Sequence, residues 1–264
     1  MVIDFHTHIF PDKIAQAALP KLSKASGGVE PCGLATVSSM TDVMKNSGVD
    51  KAVFLSIATN PKQQKNVNDF AIAQLDNPYL IPFGSVHPDS EEALDELERL
   101  KAAGIKGVKL HPDYQGFFVD EDRMLPIYEK IAKLGLITVF HAGVDIGFPE
   151  PVHCTPERLA RVLGAFDGAP VVAAHWGGYL MYDEVLKHLC GKNLYFDTSF
   201  SYSKVPPDYA KTLIKEHSSE KILFGTDMPW SSPENELKFI NSLDLNDGQL
   251  NAILSGNAQK LLFD

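Results

Sequence analysis

Eight short apolar runs, rich in β-branched and aromatic residues, recur along the chain with helix-patterned segments between them. They read VIDFHTHIF from Val2, KAVFLSIAT from Lys51, IPFGSVHP from Ile81 and GVKLHP from Gly107. LITVFHAG from Leu136, PVVAAHWGG from Pro170, NLYFDTSF from Asn193 and KILFGTDMPW from Lys221 complete the set. Near-continuous hydrophobicity, in place of strict alternation, marks parallel strands covered on both faces. Between them, SEEALDELERLKAAG opens with Ser90 as the expected cap, aligns Ala93, Leu94, Leu97 and Leu100, and stops at Gly104. Met124, Ile127, Ile131 and Leu134 form the next stripe before Gly135, and Thr155 with Pro156 opens another helix. Eight such units in 264 residues predict an α/β fold, a (β/α)8 TIM barrel, with an open doubly wound sheet as the alternative. No repeat or linker divides residues 1–264, so a single domain is expected. Residues 11–40, rich in Gly, Ser, Ala and Pro, are read as an elaborated, partly helical first loop over the site.

Polar residues cluster at one end of these runs. His6 and His8 close the first, His87 the third, Lys109 and His111 the fourth, His141 the fifth and His175 the sixth. Asp197 falls near the end of the seventh and Asp227 ends the eighth. A parallel barrel gathers all those ends into one mouth, where barrel enzymes keep their chemistry. Residues i and i+2 of a strand share a face, so His6 and His8 project together and Thr7 points away. His6, His8, His141 and Asp227 then offer three imidazoles and a carboxylate, a donor set suited to one divalent ion, zinc being the expectation.

The ordered motifs HTH at His6, FHAG at His141, AHWGG at His175 and GTDMPW at Asp227 resemble the amidohydrolase superfamily. More narrowly, with GVKLHPDYQGF and ILSGNAQKLLF, they resemble its amidohydrolase-related (family 2) branch of metal-dependent hydrolases and nonoxidative decarboxylases. The likeness runs over essentially the whole chain. It implies a metallo-barrel with His6, His8, His141 and Asp227 on the metal. It also implies an acid/base or substrate-polarising part for His175. Some relatives hold a second ion through a modified fourth-strand lysine, so Lys109 leaves that alternative open beside its simpler role as a cation for a substrate carboxylate. The missing fourth-strand glutamate argues against a TatD-like deoxyribonuclease.

Several neighbours carry two readings each. His111 is either a substrate contact or a further ligand, and otherwise a turn histidine before Pro112. His87 is either functional or a loop-shaping His-Pro. Trp176 and Tyr114 are read as substrate-binding, against core packing as the ordinary fate of tryptophan. Trp230, Gln115 and Phe117 are further wall candidates; Asp197 orients a neighbour or caps a strand end. Cys154 has no adjacent base and reads as a loop thiol.

A formal net charge of −10 disfavours broad affinity for nucleic acid, while leaving room for a locally basic pocket that takes a small anion. Three scattered cysteines without a CxxC, no apolar run of spanning length and no visible leader point to a cytoplasmic protein with no membrane role. The expected partner is a small carboxylate-bearing substrate, with a homodimer as the ordinary prior for barrels. The leading expectation is metal-assisted hydrolysis at a carbonyl. A bound ion lowers the pKa of its water from about 15.7 to about 7, Asp227 takes the proton, and His175 steadies the developing oxyanion. The same residues serve a nonoxidative decarboxylase, and a noncatalytic ligand-binding barrel is the third possibility.

Overall fold

A computed structural model describes residues 1–148 and 150–264. Its strands are β1 (Ile3–Thr7), β2 (Lys51–Leu55), β3 (Leu80–Phe83) and β4 (Gly107–Leu110), then β5 (Ile137–Phe140), β6 (Val171–Ala173), β7 (Tyr195–Asp197) and β8 (Ile222–Leu223). Helices α1 (Asp12–Ala25) and α2 (Val37–Ser47) follow β1; α3 (Gln64–Ile72) follows β2, and α4 (Ala93–Ala103) follows β3. After β4 come α5 (Pro112–Gln115) and α6 (Leu125–Leu134), then α7 (Pro156–Val162), α8 (Tyr182–His188) and α9 (Pro207–His217) behind β5, β6 and β7. The chain ends in α10 (Pro233–Asn241), α11 (Asp247–Asn251) and α12 (Asn257–Phe263).

All ladders are parallel and run in sequence order, β1-β2-β3 and β4-β5-β6-β7-β8. Single bridges, Gly84 to Val108 and Thr7 to Met228, join the two sheets into a ring. The seam between β1 and the chain after β8 is tied by Phe5 N–H to Phe224 O at 2.7 Å and Asp227 N–H to His6 O at 2.8 Å. The expected (β/α)8 barrel is therefore the fold, and the open sheet is excluded.

Side chains sort into two apolar layers. Ile3, Phe5, Val53, Leu55, Phe83, Val139, Val172 and Leu223 fill the ring, and Ala258 and Leu262 of α12 join them. The larger layer, with Phe54, Val108, Phe140 and Phe196, packs between strands and helices. Local signals mostly act as read: Gly104 and Gly135 end their helices at φ 98° and 60°, and the Thr155 hydroxyl accepts from Arg158 N–H. Ser90 does not cap α4. That helix starts at Ala93, while the Ser90 hydroxyl takes Glu92 N–H in the preceding turn, and Leu94 lies off the buried stripe. Within residues 11–40, α1 supplies the expected helix, and Ile14, Ala18 and Leu22 on it line the cavity at the mouth.

β1 carries a register shift between Asp4 and Thr7: three steps on β1 oppose two on β2. Such a bulge turns consecutive residues to one side. Ile3 and Phe5 thus point into the barrel, and so do His6 and His8, which strict alternation from Phe5 forbids. The bulge is held by Asp4. Its buried carboxylate accepts His6 N–H at 3.1 Å, Thr226 N–H at 3.0 Å and the Thr226 hydroxyl at 2.6 Å.

Candidate active site

Two groups of metal-capable side chains face one cavity at the C-terminal rim: His6, His8 and Asp227, and His111, His141 and Asp145. The cavity measures about 630 Å³. In the first group, His6 Nδ1 donates to Asp197 Oδ2 at 2.8 Å and His8 Nδ1 donates to Leu55 O at 3.1 Å. Those bonds fix the tautomers and leave a lone pair on each Nε2. Both lone pairs are aimed at Asp227 Oδ1, at 3.4 Å and 3.1 Å. Acceptors facing acceptors repel unless a cation sits among them, so the donor set fits a divalent ion by its own chemistry.

The second group is set by a relay from the same Asp197. The Ser199 hydroxyl donates to Asp197 Oδ1 at 2.5 Å and accepts from His175 Nδ1 at 2.8 Å. His175 Nε2 is then free to accept from His141 Nδ1 at 3.1 Å. That leaves His141 Nε2 a buried acceptor with no hydrogen-bond partner, 3.8 Å from Asp145 Oδ2. His111 stacks on His141 with centroids 4.2 Å apart and planes 8° from parallel, its Nε2 3.4 Å from the same carboxylate.

Electrostatics agree with neutral imidazoles and charged carboxylates. Burial, with Lys109 adding to it, holds His6 down at about 4. Burial likewise holds His111 and His141 well below the usual histidine value. Burial opposes charge on Asp227, yet the contact with His8 and the neighbouring His6 and His175 hold it at about 2. Asp197, against the same burial, is kept well below the carboxylate range by His6. Lys109 Nζ lies 3.5 Å from His6 Nε2, and burial brings its ammonium down to about 8.

Backbone strain marks three positions at the rim. His175, Trp176 and Asp227 hold φ of 56°, 59° and 67°, a left-handed region costing on the order of 1–3 kcal/mol for such residues. His175 N–H to Asp197 Oδ1 at 3.0 Å and Trp176 N–H to Asp197 O at 2.7 Å pin the first two. Gly143, at φ 81°, lets the loops after β5 and β6 meet, since any Cβ there would collide with the Tyr179 backbone.

His6, His8, Lys109, His111, Tyr114, His141, His175 and Asp227 all line the cavity, as does Trp230. Of the expected ligands, His6, His8 and Asp227 converge on one point, while His141 stands in the same cavity beside His111 and Asp145, its ring stacked on that of His111. Trp176, expected at the substrate, lies away from the cavity lining: past the left-handed turn at His175–Trp176 its indole sits in the core, fully buried, donating to Ser201 Oγ at 2.7 Å. Gln115 acts as a brace, donating to Ala58 O and Val86 O, each at 2.9 Å. His87 shapes its turn by accepting Asp89 N–H at 3.1 Å. Phe117 and Cys154 are core. Sequence reading missed Asp4, Asp145 and Ser199. Only Asp145, four residues after His141, carried a readable signal.

A barrel whose rim sets imidazoles and a carboxylate around a cation-sized gap is the architecture of metal-dependent hydrolases and their lyase kin. Residues 3–263 match the sequence profile of the amidohydrolase family Amidohydro_2, and the chain belongs to that family of enzymes. It is 27% identical to the decarboxylase orsB of Emericella nidulans over 141 residues, 49% of this chain and 39% of that protein. Among solved structures it superposes on an uncharacterized TIM-barrel protein from Bordetella bronchiseptica with a TM-score of 0.75. Identity there is 22%, covering 99% of this chain and 98% of that one. A dihydroxybenzoic acid decarboxylase from Polaromonas sp. JS666, with bound manganese and the inhibitor 2-nitroresorcinol, gives a TM-score of 0.72 at 17% identity, covering 99% of this chain and 96% of that one.

Proposed function

We propose that the protein is a metal-dependent nonoxidative decarboxylase of a small aromatic or unsaturated acid. The observation that carries this is the cavity itself: mostly apolar walls converge on the buried imidazole and carboxylate cluster, with Lys109 the one cation at its depth among the described residues. An apolar surround disfavours a carboxylate more than the charge-dispersed state in which its bond to carbon breaks. The names of the Emericella and Polaromonas relatives support the same reading.

His6, His8 and Asp227 are the residues to hold the ion, and His141 is available beside them. A divalent ion held there would supply a Lewis acid to polarise an acid substrate. Lys109 orients the carboxylate. His175, fixed by Ser199, serves as the acid once its Nε2 has taken up a proton: that proton goes to the ring carbon as the carbon–carboxyl bond breaks, so carboxylate plus proton gives the arene and CO2. Imidazoles with a carboxylate accept zinc and manganese alike.

A second reading, metal-assisted hydrolysis, is favoured by the place of Asp227, whose carboxylate lies beside His6 and His8 at the ion site where it would meet the proton of an attacking water. The deciding experiment uses chelator-stripped protein reconstituted with zinc or with manganese. CO2 release from hydroxybenzoates is compared with acid release from lactones, esters and amides. Metal-dependent CO2 release with no hydrolysis is expected; the reverse pattern replaces this reading with the second, and no turnover in either panel removes both.

A further inference from the structure

Helix α1 divides its apolar residues between two stripes. Ala15 and Leu19 are buried against the barrel, while Ile14, Ala18 and Leu22, each four residues apart, line the cavity. Opposite them stand Val67 and Phe70 of α3 and Ile146 of the loop after β5. This outer half holds no imidazole. Its one charged neighbour on α1 is Lys21, at the exposed edge. Ile14 is 53% exposed and Ile146 36%, so apolar surface faces the opening of the cavity directly. Such surface contiguous with a polar, buried end is the layout of a ligand site in which polar groups orient the molecule and apolar walls hold its body.

We infer that the stripe Ile14–Ala18–Leu22 forms an apolar subsite for a hydrocarbon substituent on the substrate. The substrate class is then an aromatic acid bearing an alkyl chain, its carboxylate at Lys109 and its chain running outward along α1. This rests on the reading under "Proposed function" for the acid end alone. A single-ring acid seated at Lys109 leaves the α1 side of the 630 Å³ cavity unfilled, whereas an alkyl chain covers it. Ala18, the smallest of the three, sets how wide that chain can be.

The test is calorimetric binding to the manganese-loaded protein, which needs no turnover. The probes are 2-hydroxybenzoate and its ring-alkylated homologues from methyl to hexyl. Affinity is expected to rise by about threefold per methylene and then level off as the chain reaches the opening. In Ala18→Trp the homologues should lose their advantage over the parent acid, and Leu22→Ser should reduce it, which guards against misfolding of either variant. A flat series, no binding by any member, or an advantage untouched by both substitutions overturns the inference. CO2 release is followed separately. Binding that grows with chain length but yields no CO2 refutes the decarboxylase reading and leaves the subsite standing; CO2 release with a flat series does the opposite.

Discussion

Asp227 is where the carboxylate chemistry and the ion site coincide. Asp227→Asn keeps the volume and removes the charge; it should lower turnover by at least about a hundredfold while leaving thermal unfolding of the metal-stripped protein nearly unchanged. Steady-state rates and calorimetry on the same preparations check both halves, and a variant keeping most of its activity removes Asp227 from the mechanism. Asp197 touches no substrate, yet its carboxylate sets the tautomers of His6 and, through Ser199, of His175. Asp197→Asn should weaken metal binding by about 10- to 100-fold, read by titration with manganese. The histidines and Asp227 were legible because each closes an apolar run, and barrel polarity sends all such ends to one rim. Trp176 was not, since a single left-handed φ of 59° reverses where its indole goes. Nor was Asp4, whose meaning depends on which strand lies beside it.

Among the elements, β1 matters most for the site, because its bulge decides which way two imidazoles face. Asp4→Ala would strand His6 N–H, Thr226 N–H and the Thr226 hydroxyl in a dry interior, each loss worth about 1–3 kcal/mol. A fall in stability of about 3 kcal/mol or more is expected by urea denaturation, together with loss of bound metal. No periodicity in the sequence announces the bulge; it is a relation between β1 and β2. Helix α9 offers a pH test remote from the site. Its buried His217 donates from Nε2 to Leu194 O at 3.0 Å, accepts Gly191 N–H at 3.2 Å, and stacks on Phe196. Burial holds the ring at about 4, below its ordinary 6.5. The unfolded chain therefore binds this proton more readily, and the stability is whole above pH 6.5 and lost as pH falls toward 4. That loss amounts to about 3 kcal/mol at the acid end. In His217→Gln the slope of stability against pH should be shallower by about one proton over this window; an unchanged slope refutes the assignment.

At the scale of the whole molecule, the ring consists of a three-stranded and a five-stranded sheet, meeting at two thin seams. The barrel itself was readable from the count and order of apolar runs, but the weakness of its joints was not, being a matter of how many bonds cross each. His6 lies on β1 and His8 just past its end, whereas Asp227 lies on the far side of the β1–β8 seam. A cation shared by them would act as a clasp, drawing together parts that the backbone alone holds with a few bonds. Loading at a hundred times the dissociation constant adds about 2.7 kcal/mol. For a chain of this size that corresponds to a rise in melting temperature of about 5–10 °C. Amide exchange at Phe5, His8 and Asp227 should slow with it, more than at β5 or β6. Metal supply would then govern the lifetime of the protein as well as its turnover, because the unclasped ring offers proteases an opening at the very residues that do the chemistry.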